Sequence, residues 1–248
     1  MKLSIISVVY NNDQYIEDCI ESVASQSYRN REHIVVDGGS TDGTLEVIEK
    51  HRDKITKWIS EPDDGLYSAM NKGISMATGD VIGFLHSDDY YADQDVMEKV
   101  AGVFINKDVE SLYGDLVYIS KSGKRILRYW KSGNYRKGMV KWGWMPPHPT
   151  FFVKRELYKR HGGFNTNLRV AADYELILRF LGKHSISTHY LPEVLIKMRI
   201  GGNSNKSVKN LLRKSKEDFQ AMKDNGLPIP IAALLYKNFS KLPQFFMK

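Results

Sequence analysis

The sequence predicts an α/β fold: a mostly parallel central sheet flanked by helices and followed by a basic helical tail. Three observations predict it. Short apolar runs such as Leu3 to Val9 and Val81 to Leu85 have the length and continuous apolarity of strands buried on both faces. Polar loops and then apolar residues at helical spacing follow these runs, the alternation of α/β chains. The stretch Gly79 to Tyr91 takes one such strand straight into two adjacent carboxylates, Asp88 and Asp89. Acids just past the end of a central strand stand where open α/β sheets bind ligands. Side by side they repel unless a cation or hydrogen-bond donors compensate. A divalent ion shared with substrate phosphates is one such partner. The structural alternative is a solvated turn capping the next helix, which Asp93 and Asp95 begin.

Leu3 to Val9 reads as the first strand rather than a signal peptide, and it runs into the turn cluster Tyr10-Asn11-Asn12-Asp13. Tyr15, Ile16, Cys19, Ile20, Val23 and Ala24 recur at helical spacing, which puts Cys19 on a core face. A single cysteine excludes an internal disulfide and fits a reducing cytoplasm. Ile34 to Val36 is the second strand, and Leu45, Val47 and Ile48 open a second helix. This strand–helix–strand–helix unit is one mononucleotide-binding half of a doubly wound, Rossmann-like fold. The loop Gly38-Gly39-Ser40-Thr41-Asp42-Gly43 is not G-x-G-x-x-G, and no P-loop motif exists, which argues against NAD, FAD and P-loop chemistry. Asp37, ending strand two, can accept from a base or ribose or close an Asx turn.

Trp58 to Ser60 forms a strand, and Tyr67, Met70, Ile74 and Ala77 mark a helix that Gly79 ends. Asn71 and Lys72 lie off its buried face, open to phosphate or to water. After the strand at 81–85 come a helix over about 93–104, a strand from Leu112 to Ile119, and a hairpin turn at Lys121 to Lys124 into Arg125 to Trp130. The irregular segment 135–150 holds Trp142 and Trp144, which suit sugar stacking beside Arg and Lys or packing on the sheet. Phe151 to Val153 is a strand, and Lys154 to His161 a helix stopped by Gly162-Gly163. Asp173 starts another helix, either as a dipole-stabilising acid or as a general base facing the cleft. Tyr190 to Ile200 is the last strand region. Residues 1–204 read as one domain, with a nucleotide and metal half (1–120) and an acceptor half (121–204). Residues 205–248 read as a helical extension whose basic helix and aromatic end suit a membrane interface, the domain surface, or a second subunit in a homo-oligomer.

Charge is segregated along the chain. Residues 1–120 carry 10 Lys and Arg against 22 Asp and Glu, whereas residues 121–160 carry 12 against 1 and residues 199–248 carry 10 against 3. The acidic half suits metal binding, and the basic half suits a phosphate-bearing partner or an anionic membrane face. No apolar run reaches the roughly 18 residues of a membrane span.

In Ser4 to Asn11, Val35 to Thr44, Ser60 to Gly73, Ser87-Asp88-Asp89 and Ala172 to Leu176, the chain resembles the family 2 glycosyltransferases of GT-A fold, the bacterial polysaccharide type. The resemblance implies transfer of a sugar from a UDP-sugar to a hydroxyl of a glycan acceptor, with inversion and with Mn or Mg. It implies a nucleoside pocket from Val9, Tyr10, Asn11 and Asp37, with Asp37 reading uracil. Asp64, Asn71 and Lys72 would be further donor contacts, Asp88 and Asp89 the metal and diphosphate pair, and Asp173 the general base. His86 stands where many relatives carry an Asp, so ribose or sugar recognition there falls to His86 or Ser87. The Gln-x-x-Arg-Trp and membrane spans of processive synthases are missing, which implies single-sugar addition. With the basic segments, this points to a lipid-pyrophosphate-linked acceptor in surface polysaccharide synthesis, and to a cytoplasmic protein at the inner face of the cell membrane. A nucleotidyltransferase is the alternative, but the Tyr10-Asn11-Asn12-Asp13 loop lacks the Gly and Arg or Lys that a triphosphate would want. A basic nucleic-acid-binding protein is another, opposed by the acidic first 120 residues and the lack of a nucleic-acid module; no nucleic acid is expected as a partner.

Overall fold

The structure, a computed structural model, describes residues 1–201 and 208–227 and positions 230, 233 and 234. In chain order the elements are β1 (Leu3–Val9), α1 (Ile16–Ala24), β2 (Arg31–Asp37), α2 (Thr44–Lys50), β3 (Lys57–Ser60), α3 (Leu66–Met76), β4 (Val81–Phe84), β5 (Tyr90–Tyr91), α4 (Val96–Asn106), β6 (Ser111–Ile119), β7 (Ile126–Trp130), β8 (Phe152–Lys154), α5 (Arg155–His161), α6 (Ala172–Ile177), β9 (Thr188–Arg199) and α7 (Val208–Asp224).

The nine strands form one sheet in the order β3-β2-β1-β4-β8-β6-β9-β5, with β7 paired to β6. β1 lies parallel to β2 and β4, and β2 parallel to β3. β8 then sits antiparallel to both β4 and β6, and β9 returns parallel to β6. Alternate residues of β1 serve opposite faces, as the period-2 geometry of a strand requires. Leu3, Ile5 and Val9 join α1 and α4 in one core, while Ile6 and Val8 join α3, α5, α6 and α7 in the other. Burial of both faces is what holds so apolar a strand at the centre. Gly73 lets α3 lie close on β1: a Cβ there would meet Cγ2 of Ile6 at 2.3 Å.

The fold is the predicted α/β sheet, with several differences of detail. β2 begins at Arg31, earlier than its apolar run, because Glu32 and His33 are buried with polar partners. Tyr90 and Tyr91, to which the sequence reading gave no element, form the short β5 against β9. α6 runs on into a π-helical turn, Leu178–Lys183. The two tryptophans divide: Trp144 stacks on Tyr135 at 5.3 Å, whereas Trp142 is exposed. Cys19 is fully buried in the core, which pushes its thiol up to about 12. α7 packs on α6, with Ala221 and Met222 in the same core. Of the aromatic end at 231–246, Ala233 and Leu234 pack on that core; the rest, and with it the membrane-interface expectation there, lies outside the described residues. No described helix is long and apolar enough to cross a membrane.

Candidate active site

β1, β2 and β4 end side by side, with Val9 level with Asp37 and Ile6 level with Phe84. Their loops are laced together by short polar side chains. Asn11 takes a left-handed conformation (φ 49°), which an Asn tolerates. Its N–H donates to Ser40 Oγ and its Oδ1 accepts from the Thr41 N–H, both at 2.8 Å. Asn12 donates through its N–H to Thr44 Oγ1 and through Nδ2 to Ser87 Oγ, again at 2.8 Å. The second bond joins the loop after β1 to the loop after β4.

Asp37 is fully buried. Its carboxylate accepts from the N–H groups of Gly39 (3.0 Å) and Ser40 (2.9 Å), from Ser60 Oγ (2.7 Å) and from Ser40 Oγ. The Asx-turn geometry is therefore present. Tyr10, next to it, is 63% exposed, and its ring packs beside Gly38 and the Asp63 carboxylate. Asp63, rather than Asp64, is the acid beside Gly38. Asp63 pairs with Lys72, which also bonds Glu61 Oε1 at 2.7 Å; the two acids raise the Lys72 ammonium. Asp64 is exposed, and its backbone carbonyl accepts from Arg169 Nη1 at 3.3 Å. Asn71 spends both polar atoms on one residue, donating to the Phe164 carbonyl (2.9 Å) and accepting from the Phe164 N–H (2.8 Å).

After β4 the chain turns on an Asp89 N–H to His86 carbonyl bond of 3.0 Å. The two adjacent acids then part company. Asp88 is partly exposed, and Arg199 Nη1 bonds its backbone carbonyl at 2.9 Å rather than its carboxylate. Asp89 is fully buried; one oxygen accepts the Arg199 N–H at 3.1 Å, and the other has no partner. Burial, then the neighbouring Asp88, push the Asp89 carboxyl well above its usual range. Arg199 also pairs with Asp18 and lies over the rings of Tyr15 and Tyr90, at 4.7 and 5.0 Å. The turn is thus clamped from behind by the end of β9.

Across the cleft, Asp173 sits in the first turn of α6. Its Oδ1 accepts from the Tyr174 N–H at 2.8 Å and from the Tyr67 hydroxyl at 3.4 Å. Burial and the Asp173 charge push the Tyr67 phenol up, so it remains a donor. Both acids bear on His86: burial pushes its imidazole down, and the Asp88 and Asp173 charges offset that only in part. Its ring is 6.3 Å from that of His148, which is buried against Phe84 and Phe164. Burial lowers His148 to about 4, so that imidazole is neutral at physiological pH.

Among the described residues no three His, Cys, Asp or Glu side chains are grouped to hold a metal ion. That does not fit an all-protein cage. It fits a hard cation bound through one or two carboxylates, with the remaining positions supplied by diphosphate and water. The partly exposed Asp88 and the unpaired Asp89 oxygen are the acceptors on offer.

Four residues at the site carried no local signal in the sequence. Asp63 is indistinguishable there from Asp64. The Tyr67 hydroxyl is hidden on a helix face read as apolar. Arg199 meets its partners only through long-range pairing. His148 lies in an acid-free stretch from Leu116 to Arg155, between two prolines, which was the one available hint.

A mixed, mostly parallel sheet flanked by helices is the arrangement of the GT-A glycosyltransferases. The chain belongs to glycosyl transferase family 2, whose family model matches residues 4–165, and it is a transferase enzyme. A PGL/p-HBAD biosynthesis glycosyltransferase of Mycobacterium bovis is 32% identical over 212 residues, 82% of this chain and 78% of that one. The fold is that of S. aureus TarS 1–349, solved in complex with UDP: TM-score 0.68 and 19% identity, covering 91% of this chain and 65% of that one. It is also that of the mannosyltransferase PcManGT from Pyrobaculum calidifontis, solved with GDP-Man and Mn2+: TM-score 0.67 and 18% identity, covering 98% and 70%.

Proposed function

We propose that this enzyme moves one sugar from a UDP-sugar to a hydroxyl of a glycan acceptor, inverting the anomeric centre. What supports the reading is that Asp88, in the turn after β4, and Asp173, at the start of α6 and bonded by the Tyr67 hydroxyl, both lie where their charge bears on His86. Tyr10, exposed beside Gly38 and Asp63, offers a platform for the base, and Val9, Asn11 and Asp37 build the pocket rim, Asp37 as the uracil reader through its loop. His86 and Ser87 stand where the ribose or sugar would lie. Asp64, Lys72 and Asn71 act on the donor side by setting the loop and helix start that border it. Asp88, supported by Asp89, holds the divalent ion, Mn or Mg, which when bound neutralises charge developing on the departing diphosphate. Asp173 takes the proton of the attacking hydroxyl on the opposite side. UDP in a TarS complex and Mn2+ with GDP-Man in PcManGT support this donor chemistry.

The acceptor is a lipid-pyrophosphate-linked glycan, met at the inner face of the membrane. Support comes from the absence of any Asp or Glu between Leu116 and Arg155, and from exposed Ile126, Leu127 and Trp142 in that stretch; cations with apolar side chains suit an anionic lipid surface. Asp173→Asn tests the assignment. Transfer should fall by about 10² to 10⁴, the range for losing a general base, while calorimetric UDP affinity in Mn2+ stays within twofold. Near-normal turnover would remove Asp173 from the mechanism.

A further inference from the structure

We infer that Glu217, on α7, is a positioning residue for Asp173, an inference that rests on Asp173 being the base. Glu217 Oε2 accepts three consecutive backbone N–H groups, those of Arg169 (3.0 Å), Val170 (2.8 Å) and Ala171 (3.1 Å). Ala171 and Ala172 are buried, so the Ala171 amide has no ready access to water and would be costly to leave unpaired. A charged acceptor makes such bonds strong. The loop's other end is fixed by Asn71 at Phe164, and by Arg179, which bonds the carbonyls of His161, Gly162 (3.1 Å) and Gly163 (2.6 Å).

The Asp173 side chain itself has little to hold it: its neighbour's amide and a 3.4 Å contact to Tyr67. Its position is therefore set by the backbone just before it, and Glu217 fixes that backbone. α7 can bear the load, since Asp218, Ala221 and Met222 are buried at its contact with the domain. The C-terminal helix thus completes the acceptor side of the cleft from 46 residues away. Proton transfer from a hydroxyl tolerates little misplacement of the base.

The test compares Glu217→Ala, Glu217→Asp and Glu217→Gln with Asp173→Asn in the full chain. Glu217→Ala and Glu217→Asp, the latter too short to span the three amides, should lower kcat at least tenfold, with KM for the donor and UDP affinity within twofold. Glu217→Gln, which keeps an acceptor at the same reach, should recover to within about threefold of the parent. Amide exchange at Arg169 to Ala171 should quicken in the Ala and Asp variants and not in Asp173→Asn. A folded Glu217→Asp with parental kcat overturns the inference while leaving Asp173→Asn inactive. Turnover in Asp173→Asn overturns the base assignment itself, whatever the Glu217 variants do.

Discussion

The two ends of the parallel sheet use the same chemical group in opposite ways. At the end where β1, β2 and β4 begin, Glu32 is buried and saturated. It accepts from Lys2 Nζ (2.7 Å), Ser4 Oγ (2.6 Å), the Thr78 N–H (2.6 Å) and Oγ1 (2.8 Å), and the Gly79 N–H (3.1 Å). At the end where these strands finish, Asp89 has an oxygen with no partner, and Asp88 keeps its carboxylate out of the turn's own bonding. Buried polar atoms are nearly always satisfied, and here one buried oxygen of Asp89 is not. A carboxylate's sequence neighbours do not decide its use; the donors the fold brings to it do.

Breaking one acid at each end separates the two uses. Asp88→Asn carries the largest expected effect: on the order of 10² to 10³ in metal-dependent transfer, with the midpoint of urea unfolding unmoved or slightly raised because a like-charge neighbour of Asp89 is gone. Manganese titration of activity would measure it, and an unchanged titration curve would separate Asp88 from the ion. Glu32→Gln should do the reverse, destabilising by about 2 to 3 kcal/mol while leaving kcat intact in the folded enzyme. That is less than a fully buried pair is worth, because Lys2 is 36% exposed.

The pH dependence sharpens the contrast. Burial pushes Glu32 up, but Lys2, Ser4 and Thr78 outweigh it and hold the carboxyl down to about 2. A depressed acid stabilises the fold above its unfolded value, roughly 4.3, and that contribution is lost as pH falls through the folded value. The gap between the parent and Glu32→Gln in denaturant unfolding should be full at pH 7 and shrink between about pH 4 and pH 2.

The same pair of ends explains what was legible in the sequence. Asp37, Asp88 and Asp89 drew notice because each lies at or soon after the end of a strand whose apolar run is unmistakable, and position after a strand is local information. β2 was read from Ile34 because Arg31-Glu32-His33 looks like a polar turn; only the fold shows that Lys2 and Ser4, with Ser7 at 3.0 Å from His33 Nε2, make those residues a strand. β5 escaped for the same reason, as two tyrosines form a strand only because β9 returns beside them. The two bonds of Asn71 had no local signal either: both go to Phe164, 93 residues away. Periodicity reports which face of an element is buried, not which distant backbone its polar residues will bond.

The smallest expected effect lies at Tyr67, where the two sides of the cleft touch. Its hydroxyl donates to Asp173 over 3.4 Å, a long contact, while its ring stacks on Phe164 at 5.6 Å. Tyr67→Phe keeps the stack and removes only the donor. The acceptor is a charged carboxylate, but the contact is long, so it is worth about 0.5 to 1 kcal/mol, below the range of well-formed bonds to charged groups, and kcat should fall about two- to fivefold with stability nearly unchanged. An unchanged kcat in a folded Tyr67→Phe would mean that Tyr67 acts through its ring on the Phe164 loop and not on the base.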